Sequence, residues 1–270
     1  MLLIPLVDSK GYAVVCASKS SKNQLSEDKM QIATKPVTYK DADTTLNGIF
    51  FWDESQSAKR PGIFVVHGGA GLDDHAKNRA RRFAELGYVA FACDMYGEGV
   101  AGSRERIMAC ITDLRAEPDR LPRRATAGID ALKSHPLVSS HIAAVGYCFG
   151  GMTVLELARS GALLAGIVSV HGSLDTKHAA ATDAIRAKIL VCHGALDPHV
   201  PLTQVTGFAD EMKTANADWH LIIYGNAMHG FTHEDKWNVP GVAYHAASDA
   251  RSWRVIETFF AEIFTQEQDA

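Results

Sequence analysis

The sequence predicts a single α/β domain: a mostly parallel central sheet with helices on both faces. Three observations predict it. The chain has 270 residues, 47% hydrophobic and 21% charged, enough apolar material for one sizeable core. Short apolar runs alternate with stretches of helical spacing, the pattern of a parallel sheet covered on both sides. One of those runs ends in Gly146-Tyr147-Cys148-Phe149-Gly150-Gly151, a small-x-nucleophile-x-small turn from a strand into a helix.

The elements run in order along the chain. Residues 37–39 and 46–52 are β-like around a polar turn and predict an antiparallel start. Residues 62–66 form a wholly apolar strand that runs into His67-Gly68-Gly69-Ala70-Gly71. Residues 74–86 place Ala80, Phe83 and Leu86 on one helical face, with Gly87 just past the end. A strand at 88–93, a glycine-bearing loop at 94–103 and two helices at 104–115 and 121–134 come next. The strand before the cysteine turn spans 141–147 and the helix after it 150–160. Further strands are expected at 165–171, 189–193 and 220–224, with helices at 204–215 and 244–264. No internal repeat or low-complexity segment interrupts this, so residues 30–270 read as one domain. Residues 1–29 read as an appendage: two apolar runs at 2–7 and 12–17 could pair as a hairpin, and 18–29 is a polar linker. An alternative is that translation begins at Met30. Met1 to Val7 lacks the basic flank and cleavage site of a signal peptide.

Composition excludes several functions. A net charge of −4 gives no basic surface for nucleic acid or an anionic membrane. No apolar run is long enough to span a bilayer. The five cysteines, Cys16, Cys93, Cys110, Cys148 and Cys192, are odd in number and form no CxxC pair. A disulfide framework or zinc knuckle is therefore not expected, and a reducing, cytoplasmic setting is. Cys93, Cys110 and Cys192 read as inert packing thiols. The twelve histidines match no HExxH or HxHxDH pattern, so neither a metal nor another cofactor is expected.

Cys148 stands apart because an acid and a histidine come after it at strand ends. In open parallel sheets, ligands bind beyond the carboxyl ends of the strands. Asp197 lies in Gly194-Ala195-Leu196-Asp197-Pro198, straight after one such strand, and His229 lies in Met228-His229-Gly230-Phe231, straight after the next. Nucleophile, acid, histidine is the chain order of the α/β-hydrolase fold. His229 would take the thiol proton of Cys148, and Asp197 would fix the tautomer of His229 and stabilise its charge. The oxyanion donors would be the N–H of Phe149, directly after the nucleophile, and that of Gly69. The competing reading of Asp197 is a turn former before Pro198. Phe231 and Trp237, in the loops after the histidine, are candidates to line a substrate pocket, with core or lid packing as the alternative. Arg104, Arg106, His193 and His199 are weaker candidates for the same role.

These motifs, with Gly-Ala-Leu-Asp at 194–197, His-Gly-Phe at 229–231 and Arg251-Ser252-Trp253 in the closing helix, resemble the dienelactone hydrolase family of α/β hydrolases over roughly residues 36–265. The resemblance implies a cofactor-free cysteine hydrolase of small carboxylic esters or lactones. The chain departs from the family pattern twice. Members commonly carry a glutamate in the loop after the first long strand, where this chain has Gly68. They also place an arginine shortly after the histidine to hold a substrate carboxylate, where this chain has Gly230, Phe231, Thr232 and His233. A neutral, bulkier ester is therefore expected in place of dienelactone. The side-chain-free loop at Gly68-Gly69 is also expected to leave room for a tetrahedral phosphoryl centre. The weaker P–S bond of a phosphorylated cysteine makes turnover of phosphotriesters chemically plausible. The alternatives are an acyltransferase or thioesterase on the same triad, or a non-catalytic ligand receptor. The expected partner is a small-molecule ester, with the chain a monomer or homodimer.

Overall fold

Strands and helices alternate along the chain as the apolar patterns require. The computed structural model describes residues 30–234 and 239–266. The expected appendage at 1–29 and Trp237 lie outside the described residues.

β1 (Ile32–Asp41) and β2 (Thr44–Asp53) form an antiparallel hairpin in register from Ile32–Asp53 to Asp41–Thr44. Both exceed the short runs expected at 37–39 and 46–52. β1 lies at the sheet edge with much of its length exposed, so backbone pairing, which needs no apolar side chain, extends it. Arg123 and Arg124 bind Asp41 at 2.9 and 2.6 Å, and Arg124 also donates to the Met95 carbonyl and Thr44 Oγ1. The hairpin end is thereby fixed to the domain.

The remaining strands are β3 (Arg60–Val66), β4 (Val89–Cys93), β5 (Val138–Tyr147), β6 (Gly166–Val170), β7 (Lys188–Gly194) and β8 (Trp219–Tyr224). They complete an 8-stranded sheet in the order β1-β2-β4-β3-β5-β6-β7-β8, parallel from β4 to β8. α1 (Asp74–Glu85) and α6 (Ala246–Gln266) cover one face. There Phe83, Trp253, Ile256 and Phe260 pack on Ile63, Val65, Ala90 and Ala92. α3 (Arg120–Lys133), α4 (Phe149–Arg159) and α5 (Leu202–Thr214) cover the other, packing Leu121, Leu155 and Phe208 with Phe64, Val66 and Phe91. Successive strand residues thus enter opposite cores, as a two-faced pleat demands. Each large side chain so buried contributes about 1.5–3 kcal/mol. α2 (Arg104–Leu114) is different: Leu114 is its one fully buried residue, so it lies on the surface.

The sheet and helices come closest at the turn from β5 to α4. Methyl groups built on Gly146 or Gly150 would lie 1.9 Å from the Gly150 carbonyl oxygen and 2.3 Å from the Val66 carbonyl oxygen. Those obstacles are backbone, which cannot swing aside. Gly146→Ala is therefore expected to destabilise the fold by about 3 kcal/mol or more, read as a lowered urea midpoint. A variant as stable as the parent would show that the turn is looser than described.

Candidate active site

The turn at Cys148 puts a thiol where chemistry can reach it. Cys148 has φ 54° and ψ −112°, a conformation that side-chain-bearing residues rarely adopt. It caps α4 and lines a cavity of about 670 Å³, within the usual range for small-molecule sites. His229 comes after β8 in a loop held by backbone bonds to Gly241 and Ala243. Asp197 comes after β7, and the N–H of Leu196 donates to the Ala227 carbonyl at 2.9 Å, tying the two loops together.

The three side chains converge. His229 Nε2 lies 3.1 Å from Cys148 Sγ, and His229 Nδ1 lies 2.8 Å from Asp197 Oδ2. The other Asp197 oxygen accepts the N–H groups of His199 (2.8 Å) and Val200 (3.1 Å). Burial penalises each charged form, but partners outweigh it. The His229 hydrogen bond and charge, with the N–H groups of Phe149 and Gly69, hold the Cys148 thiol below its ordinary pKa. Burial opposes charge on His229, yet Asp197 and Cys148 together raise it to about 10. Asp197 is likewise held low, against its own burial, by His229 and the two N–H groups. The arrangement therefore favours thiolate, imidazolium and carboxylate. The other described cysteines behave oppositely: burial raises the thiol pKa of Cys93, Cys110 and Cys192, the last to about 12.

Phe149 and Gly69 both line the cavity beside the sulfur. The Gly69 loop is oriented by residues that carry no sequence signal. His67, fully buried, donates from Nδ1 to the Gly68 carbonyl (2.6 Å) and accepts the Met95 N–H at Nε2 (3.1 Å). The Tyr96 hydroxyl donates to the Gly69 carbonyl at 3.2 Å, leaving the Gly69 N–H to face the sulfur.

The expected pocket contacts need correction. Phe231 is fully buried, packed on Tyr224 and edge-on to His171. Gly230 before it, at φ 65°, turns the chain inward, so Phe231 serves the core and does not line the cavity. Val239 and Val242 line it from this loop. The opposite wall is Ile107, Met108 and Ile111 of α2, with Met152 of α4 beneath. Arg104 and His199 reach the cavity, whereas Arg106 binds the Gly99 carbonyl and His193 is buried. The expected space at the glycine loop is half present. A side chain at Gly69 would meet nothing within 4 Å, but one at Gly68 would touch the His233 ring at 3.4 Å. His233 therefore stands beside position 68, where open space is expected from the sequence. Among the described residues, no group of three or more His, Cys, Asp or Glu side chains is arranged to hold a metal ion, and no helix is long and apolar enough to cross a membrane.

Sheet order, the cysteine turn and the acid and histidine loops together define an α/β hydrolase. Comparison with known proteins narrows the class. The dienelactone hydrolase family profile matches residues 48–264, and the chain belongs to that family, whose members are hydrolases acting on ester bonds. The chain is 40% identical to the dienelactone hydrolase-like promiscuous phosphotriesterase P91 from metagenomic libraries. That match has a TM-score of 0.81 and covers 86% of this chain and 98% of P91. The structure named m3DLH is 38% identical with a TM-score of 0.80, over 86% of this chain and 98% of its own. Protein K02A2.1 of Caenorhabditis elegans is 34% identical over 152 residues, 54% of this chain and 95% of the relative.

A thiol held low stays ionised below the ordinary cysteine pKa. Alkylation of Cys148 by iodoacetamide, with peptide mass to separate it from Cys110, should therefore show a pH midpoint below about 8.5. Asp197→Asn removes the carboxylate that sustains the imidazolium, so the midpoint should rise. Equal midpoints in the two proteins would remove Asp197 from this arrangement.

Proposed function

We propose that the protein is a cysteine-dependent hydrolase of small, neutral carboxylic esters or lactones. The observation that carries this reading is the Cys148–His229–Asp197 chain of hydrogen bonds at 3.1 and 2.8 Å, opening on an apolar cavity. Cys148 thiolate attacks the ester carbonyl, and the resulting oxyanion accepts the N–H groups of Gly69 and Phe149. Each such donor typically lowers the barrier by about 3 kcal/mol. The imidazolium of His229 gives its proton to the departing alkoxide as the tetrahedral intermediate collapses to a thioester. His229 then takes a proton from water, whose oxygen attacks the thioester. Collapse releases the acid and returns the thiolate–imidazolium pair. Asp197 keeps Nδ1 protonated and Nε2 aimed at the sulfur throughout.

The walls set the substrate class. Ile107, Met108, Ile111, Val239 and Val242 offer no partner for a carboxylate, and Arg104 is the one Lys or Arg in the described lining. An anionic lactone would find Arg104 as its one Lys or Arg partner in the described lining and would lose hydration against the apolar walls elsewhere.

Phosphotriesters are a second substrate class, favoured by the open space at Gly69 and by the 40% identity to the phosphotriesterase P91. Here the thiolate displaces the aryloxide at phosphorus, forming an S–P bond while the aryloxide leaves with the imidazolium proton of His229; neutral His229 then takes a proton from water, whose oxygen attacks phosphorus and expels the thiolate.

The test is a panel of p-nitrophenyl esters, dienelactone and a neutral aryl phosphotriester, run on the parent and Cys148→Ala. The parent is expected to favour the neutral carboxylic esters over dienelactone. The variant should lose at least about 10³-fold in kcat/KM while staying folded. Full activity in Cys148→Ala would overturn the mechanism. A stable stoichiometric phosphoryl adduct without turnover would overturn the phosphotriester reading alone. Ester or thioester products formed in the presence of an alcohol or thiol would point to acyl transfer.

A further inference from the structure

Behind the cysteine turn, on the side away from the cavity, lies a buried polar chain that the proposed mechanism does not use. His171, at the end of β6, is buried with φ 41°, another residue in the left-handed region. Its Nδ1 accepts the backbone N–H of Cys148 at 3.1 Å. Its Nε2 lies 2.9 Å from Thr232 Oγ1. The same hydroxyl lies 3.1 Å from His75 Nε2. Arg79 Nε donates to that His75 nitrogen at 3.2 Å, while its Nη2 donates to the Thr232 carbonyl at 2.9 Å and to Asp249 Oδ1 at 2.7 Å.

The donors and acceptors in this chain have one consistent assignment. An Nδ1 that accepts carries no proton, so neutral His171 carries its proton on Nε2 and donates it to Thr232. His75 Nε2 accepts from Arg79, so it too is bare, and the Thr232 hydroxyl donates to it. The protons therefore run from Cys148 through His171 and Thr232 to His75 Nε2, which the Arg79 Nε–H approaches from the other side, and Arg79 is in turn paired with Asp249. Thr232 uses its hydroxyl both to accept and to donate. Valine in its place has the same shape but neither function.

The chain joins two pieces of backbone that the reaction must hold in register. One end grips the peptide N–H of Cys148, one residue before the Phe149 N–H. The other end grips Thr232, three residues after His229. We propose that His171 and Thr232 are positioning residues that fix the cysteine turn against the loop carrying His229, and so set the sulfur–imidazole distance and the aim of the Phe149 N–H. The inference rests on the cysteine-hydrolase reading for its effect on turnover, but its effect on the thiol stands independently of any substrate.

The test compares Thr232→Val with Thr232→Ser, measuring p-nitrophenyl ester kinetics and the rate of Cys148 alkylation by iodoacetamide at pH 7. Loss of the link should lower kcat about tenfold with KM within about twofold, because the binding walls are untouched and only the reacting geometry loosens. Alkylation should slow as the thiol loses its held imidazole. Thr232→Ser should restore both, a rescue that loss of packing alone would not give, since serine is the smaller residue. Should Thr232→Val fail to fold, His171→Asn carries the same measurement: its Oδ1 can still accept the Cys148 N–H, but its amide stops short of Thr232. Parental kcat and alkylation rate in the folded variant, or a loss that serine does not rescue, would overturn the proposal. Alkylation separates this failure from failure of the hydrolase reading, because it needs no ester turnover.

Discussion

The structure turns on one strained residue. Cys148 at φ 54° and ψ −112° is held in a conformation that costs of order 1–3 kcal/mol, and the surrounding backbone makes the alternatives worse. Gly146 and Gly150 let β5, α4 and the end of β3 approach so closely that no side chain fits between them. The peptide N–H of Cys148 is taken by the Val170 carbonyl and by His171. With the chain fixed on both sides, the thiol has one place to go, above the sheet at the start of a helix. That position gives it free N–H groups, a favourable dipole and access to the loops after β7 and β8. Relaxing the turn would therefore cost more than strain energy. It would move the sulfur and the Phe149 N–H together.

The fold is legible in the sequence because the inner parallel strands are buried on both faces over most of their length and so read as apolar runs. Residues 62–66 and 189–193 lie inside β3 and β7, and the expected helix at 74–86 differs from α1 by its last residue, Leu86. Legibility falls at the edge. Half of β1 is exposed, so its pattern carries little hydrophobic signal and its length comes from pairing with β2. α2 is legible as a helix, but its purpose is not. Ile107 and Ile111 are apolar residues at helical spacing, and nothing local says that they line a cavity as well as pack against the core.

The site divides in the same way. Cys148, Asp197 and His229 can be picked out because a tight turn, a strand end and chain order each leave a sequence trace, and the structure brings them within hydrogen-bond reach. Phe231 is misread because an aromatic beside a loop histidine looks the same whether it faces inward or outward; the positive φ of Gly230 decides it. His67, Tyr96, His171 and Thr232 leave no usable signal. Each acts through hydrogen bonds that join it to groups distant in sequence, and such pairings arise from tertiary geometry alone.

That geometry also explains why so many imidazoles can share one site. His75, His171 and His233 all lie near the triad, and burial, reinforced by neighbouring positive charge, lowers the pKa of each, that of His233 to about 4. An unpaired charge in such surroundings costs several kcal/mol, so these rings stay neutral and serve as donors, acceptors and packing. His229 alone among the four has a carboxylate at 2.8 Å and a thiol at 3.1 Å. The positive charge therefore resides on the ring that lies between the thiol and the carboxylate. With glycine at position 68, the neutral ring of His233 fills the adjoining space, and the loop brings no second carboxylate to compete with Asp197 for the imidazolium. The electrostatics beside the sulfur thus reduce to one thiolate, one imidazolium and one carboxylate, with Arg104 as the one Lys or Arg in the described lining of a mostly apolar wall.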